Sequence, residues 1–129
     1  MCNYVSVNFT QKELEKAYQA QYVGESYTQS DNINGFSNTK LPVILDRDTD
    51  HILDAQWGFL PSWANNSDFA KKTLNARMEE VHQKPTYKNY TNNRCLILVS
   101  AFHEWKWLDG KGKRKDHYLI KTNRPKLLI

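Results

Sequence analysis

The 129-residue sequence predicts a single α+β domain with a mainly antiparallel sheet. Three observations predict it: one amphipathic helix near the N-terminus, about five segments with strand character, and no regular alternation of strands with helices. Hydrophobic residues make up 40% of the chain and charged residues 25%, as in ordinary globular domains. A chain of this length can bury a core without disulfides or metals.

The helix has a clear start signal in a capping box formed by Thr10 and Glu13. Its apolar face comprises Leu14, Ala17, Tyr18 and Tyr22. This spacing predicts a helix that runs to about Gln21. Residues 24–40 are rich in Gly, Ser, Asn and Thr and are predicted to form a long surface loop.

The strand predictions rest on apolar runs and alternation. A strand over Leu41–Leu45 precedes a turn at residues 46–50, and a second strand ends before Pro61. The apolar face of that second strand comprises Leu53, Ala55, Trp57 and Phe59. The run Cys95–Ser100 predicts a buried central strand that continues to about Trp107. A turn over Asp109–Gly112 and a strand over Tyr118–Lys121 complete a predicted hairpin.

The segment Ala70–Gln83 has two possible interpretations. Its apolar residues suit a helix, whereas Thr73, Asn75 and Arg77 share one face if the segment begins as a strand. We favour an extended entry through Arg77 with a helix after it.

Composition narrows the compartment and the partner. No apolar run approaches the roughly 20 residues of a membrane span, and the N-terminus lacks the pattern of a secretory signal. Two distant cysteines, Cys2 and Cys95, fit a cytoplasmic protein with free thiols. The formal charge of +4 suits an anionic partner, although many soluble proteins carry as much.

Cys2 becomes an N-terminal aminothiol if Met1 is removed, which is usual when a small residue follows methionine. The neutral α-amine can attack an aldehyde to give an imine, and the thiol can then close a five-membered thiazolidine ring. The same residue could instead act as an N-terminal nucleophile in amide hydrolysis. A cysteine at this position can also occur by chance.

Three further sites could carry chemistry. Asn75 and Arg77 place an amide and a guanidinium together, and guanidinium groups bind phosphate well, although both residues could serve ordinary turn chemistry. Glu104 ends the most hydrophobic strand, where burial would raise a carboxyl pKa toward neutrality; a solvent-exposed strand end is equally compatible. The segment containing it lacks the second histidine of a zinc motif, and no metal or cofactor is expected.

Aromatic residues around Pro61 are candidates for stacking against unpaired bases. At least one of Trp57 and Phe59 is expected in the core, which leaves Trp63 as the better stacking candidate. The basic run Lys111–Lys115 is most simply a solvated hairpin tip that could touch phosphates.

In their order along the chain, these segments resemble the SRAP family, the SOS-response-associated peptidase-like, abasic-site-processing proteins. The resemblance rests on Met1-Cys2, WGFLPSW, LNAR followed by acidic residues, and RCLILVSAFHEW, and it covers nearly the whole chain. It implies a barrel-like, mainly antiparallel sheet with a few helices. It also implies a sensor of abasic sites in single-stranded DNA that removes its own Met1.

The resemblance implies a role for each candidate. Cys2 would form the thiazolidine crosslink with the ring-opened sugar, and Asn75 would orient that sugar or the amine. Glu104 would transfer protons, Arg77 would hold a phosphate, and Trp63 would wedge or stack at the lesion. We expect a monomer that contacts single-stranded DNA and no membrane, in the cytoplasm, at the nucleoid in a bacterium.

The sequence departs from the family at several points. The family usually begins Met-Cys-Gly-Arg, whereas Asn3 and Tyr4 follow Cys2 here. The family also carries a catalytic histidine in a later stretch that this chain does not reach, and none of its four histidines stands in that context. The apolar residues 125–129 look like the start of a strand, so we expect residues 1–129 to be the N-terminal and central part of the domain.

Two other function classes stay open at this stage. One is a non-covalent single-stranded DNA-binding domain in which Cys2 plays no part, because Met1 is retained or the histidine is missing. The other is a cysteine-type peptidase that acts on other proteins.

Overall fold

The computed structural model describes residues 2–122, which form two four-stranded sheets and two α-helices. The strands are β1 Tyr4–Val7, β2 Gln21–Tyr22, β3 Ser30–Asn34, β4 Lys40–Leu45, β5 Asp48–Gln56, β6 Cys95–Ile97, β7 Ala101–Trp107 and β8 Lys115–Ile120. The helices are α1 Gln11–Tyr18 and α2 Met78–Val81. The predicted α+β class is confirmed.

The first sheet has the order β3-β1-β7-β8 and is antiparallel throughout. The second has the order β2-β5-β4-β6 and contains one parallel pair, β2 with β5. The two sheets enclose one core cluster of Val5, Val7, Ile33, Leu41 and Val99. A second cluster packs helix α1 against the second sheet and comprises Leu14, Ala20, Ile44, Ile52 and Leu98.

Helix α1 begins as predicted and ends three residues before the predicted end. Thr10 and Glu13 form both hydrogen bonds of the capping box. The helix ends at Tyr18 because Gln19 adopts the left-handed conformation with φ of 52°. The Glu15 carboxylate then accepts a hydrogen bond from the Tyr22 amide at 3.0 Å, and this tyrosine lies in β2 rather than on the helix.

Residues 24–40 are not the long loop that their composition predicts. Strand β3 and the 3-10 helix Gly35–Ser37 lie within this segment. Ile33 pairs with Val5 of β1 and is 5% exposed. A single buried isoleucine and a neighbouring strand are therefore enough to order a polar segment as a strand.

The predicted single strand from Cys95 to Trp107 is two strands in different sheets. Strand β6 is an exposed edge strand, whereas β7 is central in the other sheet. Between them, the Leu98 amide donates to Pro42 and the Ser100 amide donates to Ser6. Leu98 and Val99 point into opposite core clusters, so an apolar run without alternation marks a passage between sheets here.

The remaining predictions differ from the structure in detail. Strand β5 already begins at Asp48, inside the predicted turn, and ends at Gln56. Its fully buried residue is Ile52, which lies on the face opposite the predicted one. The predicted C-terminal hairpin is confirmed, with Gly112 at a φ of 66° in its turn.

The ambiguous segment follows the favoured interpretation. Arg77 is extended, with φ of −79° and ψ of 131°, and helix α2 begins at the next residue. A 3-10 helix, Ser67–Lys72, precedes this extended stretch. The expectations for Met1 and residues 125–129 lie outside the described residues. Within residues 2–122, no helix is long and apolar enough to cross a membrane.

Candidate functional site

Cys2 stands immediately before β1, whose central position in the first sheet fixes the start of the chain. The half-buried thiol donates a hydrogen bond to the Tyr4 carbonyl oxygen at 3.4 Å. Burial raises the pKa of the Cys2 thiol above its usual value, and the negative charge of Glu104 raises it further. The thiol is therefore held in its protonated form at neutral pH.

The thiol opens into a cleft of about 310 Å³ between the two sheets. The cleft is lined by Cys2, Val5, Leu41, Trp57, Leu74, Asn75, Ile97, Val99 and Phe102. Apart from the thiol and the Asn75 amide, these side chains are almost entirely apolar. A small carbonyl compound in the cleft would therefore meet one nucleophilic residue and one polar orienting group.

The position of Asn75 is fixed by three hydrogen bonds from different parts of the chain. Its amide nitrogen donates to Asn3 Oδ1 at 2.9 Å, and the Tyr87 hydroxyl donates to its backbone carbonyl at 3.3 Å. One residue earlier, the Trp57 indole nitrogen donates to the Leu74 carbonyl at 3.1 Å. Asn75 therefore faces the cleft on a backbone that is held from both sides.

Glu104 lies on β7, which pairs with β1 on one side and β8 on the other. Its side chain shares a face with Phe102, which lines the cleft, and it is half-buried. Leu98 and Ser100, which the sequence places on the same strand face, precede the start of β7 instead. Glu104 is close enough to Cys2 for its charge to act on the thiol.

A second groove of about 410 Å³ adjoins the cleft, and Asn75 lines both. Its charged residues are Lys72, Arg77, Glu80 and Lys84. Lys84 forms an ion pair with Glu80 at 2.5 Å. Lys84 and Arg77 both lower the pKa of the Glu80 carboxyl, the hydrogen bond from Lys84 being the larger cause. With three cations against one anion, this cationic groove attracts negative charge.

Trp63 lies outside both cavities. Its ring is 56% exposed and packs edge-on against Phe69, with the ring centroids 5.1 Å apart. Phe69 lines the cationic groove. The structure thus brings Cys2, Asn75 and Glu104 together, places Arg77 in the adjoining groove, and sets Trp63 at the rim of that groove.

Several residues of the site could not be identified from the sequence. Asn3 stands out there only as a departure from the family's usual start, although it holds the Asn75 amide. Tyr87 carries no local signal, because its contact depends on the turn between α2 and the following segment. Trp57, expected to be core, packs against the first core cluster and also lines the cleft. In the described part of the chain, no group of three or more potential metal ligands occurs.

Comparison with known proteins agrees with this site. The model of the SRAP family, SOS response associated peptidase, matches residues 1–129. The chain belongs to the SRAP family. A solved structure with the same fold is that of a protein from Bacteroides thetaiotaomicron, with a TM-score of 0.79 and 21% identity; the match covers 97% of this chain and 56% of that one.

Relatives within the SRAP family extend beyond this chain. The abasic site processing protein YoaM from Bacillus subtilis is 34% identical over 98 residues, which are 75% of this chain and 43% of that protein. The abasic site processing protein HMCES from Mus musculus is 31% identical over 101 residues, which are 64% of this chain and 29% of that protein. The chain therefore spans less than half the length of these relatives.

Proposed function

We propose that this protein senses abasic sites in single-stranded DNA and becomes crosslinked to them through Cys2. The observation that carries the proposal is the geometry of the cleft: a terminal thiol, an oriented amide and a carboxylate meet beside a cationic groove. Relatives that bear the name abasic site processing protein support the choice of substrate.

The reaction would begin once Met1 is removed and the amine of Cys2 is free. The amine attacks the aldehyde carbon of the ring-opened sugar, and the resulting carbinolamine loses one water to give an imine. The thiol then adds to the imine carbon and its proton passes to the imine nitrogen, which closes a thiazolidine ring. The net change is one C–N bond and one C–S bond formed and one water released.

A protonated thiol suits this order of events. Because the thiol pKa is raised, the amine is the first nucleophile and the thiol reacts only once the imine is in place. Glu104 is positioned to donate a proton to the departing hydroxyl and to accept the thiol proton afterwards. Asn75, held by Asn3, would orient the sugar oxygen or the amine in the cleft.

The adjoining groove would hold the DNA strand on either side of the lesion. Arg77 would bind a phosphate, and its guanidinium can make two parallel hydrogen bonds to one. Trp63 would stack against a base next to the lesion, where its exposed ring stands at the groove rim. Self-removal of Met1 would be the peptidase activity of the family name.

The deciding experiment mixes the protein lacking Met1 with a single-stranded oligonucleotide that carries one abasic site. We expect an adduct that survives heat and SDS, with the summed mass of protein and DNA less one water. Cys2→Ser keeps the amine, so its adduct should survive only after reduction with cyanoborohydride. Cys95→Ser is the matched control and should crosslink normally. An unreduced, heat-stable adduct with Cys2→Ser would contradict the proposal.

A second candidate function is non-covalent binding of single-stranded DNA, which the cationic groove favours because it does not include Cys2. If this were the whole function, an intact strand and an abasic strand would bind alike. Binding would then fall with salt and would survive Cys2→Ser unchanged, with no adduct from the native protein.

A further inference from the structure

The outer face of the first sheet carries a group of aromatic residues that the cleft does not use. Successive residues of a strand point to opposite faces, so Trp105 and Trp107 of β7 face away from Phe102 and Glu104. Their partners on β8 are His117 and Lys115, respectively. This outer face therefore lies on the opposite side of the sheet from Cys2.

The rings of this face form one continuous platform across three strands. Tyr4 packs edge-on against Trp105 at 5.3 Å, and His117 packs against the other side of the row at 5.2 Å from Trp105. His103 stacks parallel to His117, with the centroids 5.0 Å apart and an interplanar angle of 5°. Contacts between the rings fix their orientation before any ligand arrives.

At the hairpin end the platform is exposed and basic. Trp107 is 57% exposed, and the Lys115 ammonium lies 5.7 Å from the centroid of its ring and 5.1 Å from that of Trp105. The exposed residues Lys113 and Arg114 follow the turn immediately beyond. The carboxylate of Asp109 accepts hydrogen bonds from the backbone amides of both, so its charge is engaged within the turn.

We propose that this outer face, from Tyr4 to the hairpin tip, is a binding site for a strand of unpaired nucleic acid. Bases would stack on Trp107 and Trp105, while Lys113 and Arg114 would contact the phosphates. Stacking of a base outweighs an exposed cation–π contact, so Lys115 would leave the ring faces and move to a phosphate. A duplex would meet the charges but could not offer its bases to the rings.

This site is separate from the proposed crosslinking site. It uses neither Cys2 nor the cationic groove, and it lies on the other face of β7. It would hold DNA or RNA without a lesion and would leave the cleft accessible to an abasic sugar on the same strand or on another. The two proposals can therefore fail independently.

The test uses a fluorescein-labelled oligothymidylate of about 20 nucleotides without any abasic site, followed by anisotropy at low salt. We expect Trp107→Ala to weaken binding by about tenfold, as the loss of one stacked base would. Trp107→Phe keeps an aromatic ring and should retain most of the affinity. Because Trp107 is largely exposed, neither change should shift the urea midpoint.

Charge and location have their own controls. Lys113→Ala should lower the salt dependence of binding, whereas Lys16→Ala removes the same charge from the exposed face of α1 and should not. With 5-iodouracil in the strand, irradiation should attach it to the peptide that contains Trp105 and Trp107, and Arg77→Ala should leave that attachment in place. Unchanged affinity of Trp107→Ala, or attachment only to groove residues, would overturn the proposal.

Discussion

At the scale of single residues, Asn3 is the unexpected member of the site. It lies one residue after Cys2, and its side-chain oxygen accepts from the Asn75 amide across 72 positions of sequence. The contact ties the nucleophile's own strand to the residue that would orient the sugar. A glycine, which the family usually has here, offers no such acceptor, so in this protein the asparagine itself fixes the rotamer of Asn75.

Asn3→Ala should therefore slow crosslinking to abasic DNA by about 3- to 10-fold, the value of one modest hydrogen bond. Asn3→Asp keeps an oxygen acceptor and should stay closer to the native rate. The measurement is the rate at which the SDS-stable adduct accumulates. Asn8→Ala, an exposed asparagine beyond the end of β1, is the control. Equal rates for Asn3→Ala and the native protein would show that the contact has no part in orientation.

The Cys2 thiol gives a prediction about pH. Glu104 raises the thiol pKa because its negative charge disfavours a thiolate nearby. Glu104→Gln removes that charge, so the midpoint of Cys2 alkylation by iodoacetamide should move to lower pH. Cys95 is an internal reference, since burial and Asp46 raise its pKa and neither changes in this variant. Peptide mass spectrometry distinguishes the two thiols, and a Cys2 midpoint that stays or rises would refute the assignment.

At the scale of elements, local signals predict structure correctly and non-local ones do not. The start of α1, strand β4 and the last hairpin follow from caps, apolar runs and turn residues that lie next to one another in sequence. Strand β3 has no such signal, because its order comes from pairing with β1. The passage from β6 to β7 is equally hidden, because a run without alternation fits both a buried strand and a change of sheet.

The candidate site divides in the same way. The order of the motifs is enough to group Cys2, Asn75 and Glu104, which the structure brings together around the cleft. The supports of Asn75 could not be predicted, since Asn3 and Tyr87 reach it through tertiary contacts that leave no local pattern. Trp63 is expected at the lesion, and its position at the rim of the groove leaves that role a proposal.

Gly58 joins the end of β5 to the segment that positions Trp63. Its φ of 107° is in the region that favours glycine, and a Cβ there would stand 2.4 Å from the Ala70 carbonyl oxygen. Gly58→Ala should destabilise the fold by about 1–3 kcal/mol, through backbone strain and this clash. Gly110→Ala, at a position with open space around it, should be nearly neutral. Urea denaturation compares the two, and equal midpoints would contradict this account.

At the scale of the whole molecule, the segment 98–100 links the two sheets and the two core clusters. Leu98 is fully buried against α1 and the second sheet, and Val99 is buried between the sheets. The first sheet carries Cys2 and Glu104, whereas the second supplies Leu41 and Ile97 to the cleft wall. The cleft therefore exists only while this segment holds the two sheets in register.

Leu98→Ala should cost about 2–5 kcal/mol of unfolding free energy, because the cavity it leaves is enclosed on all sides. Leu96→Ala, two residues away on β6, removes the same atoms from a side chain that is 59% exposed and should cost well under about 1 kcal/mol. The comparison is made by urea denaturation of both variants. Because the cleft depends on both sheets, the loss at Leu98 should also slow crosslinking before the protein unfolds, whereas Leu96→Ala should crosslink at the native rate. Similar unfolding midpoints for the two variants would mean that segment 98–100 does not couple the sheets.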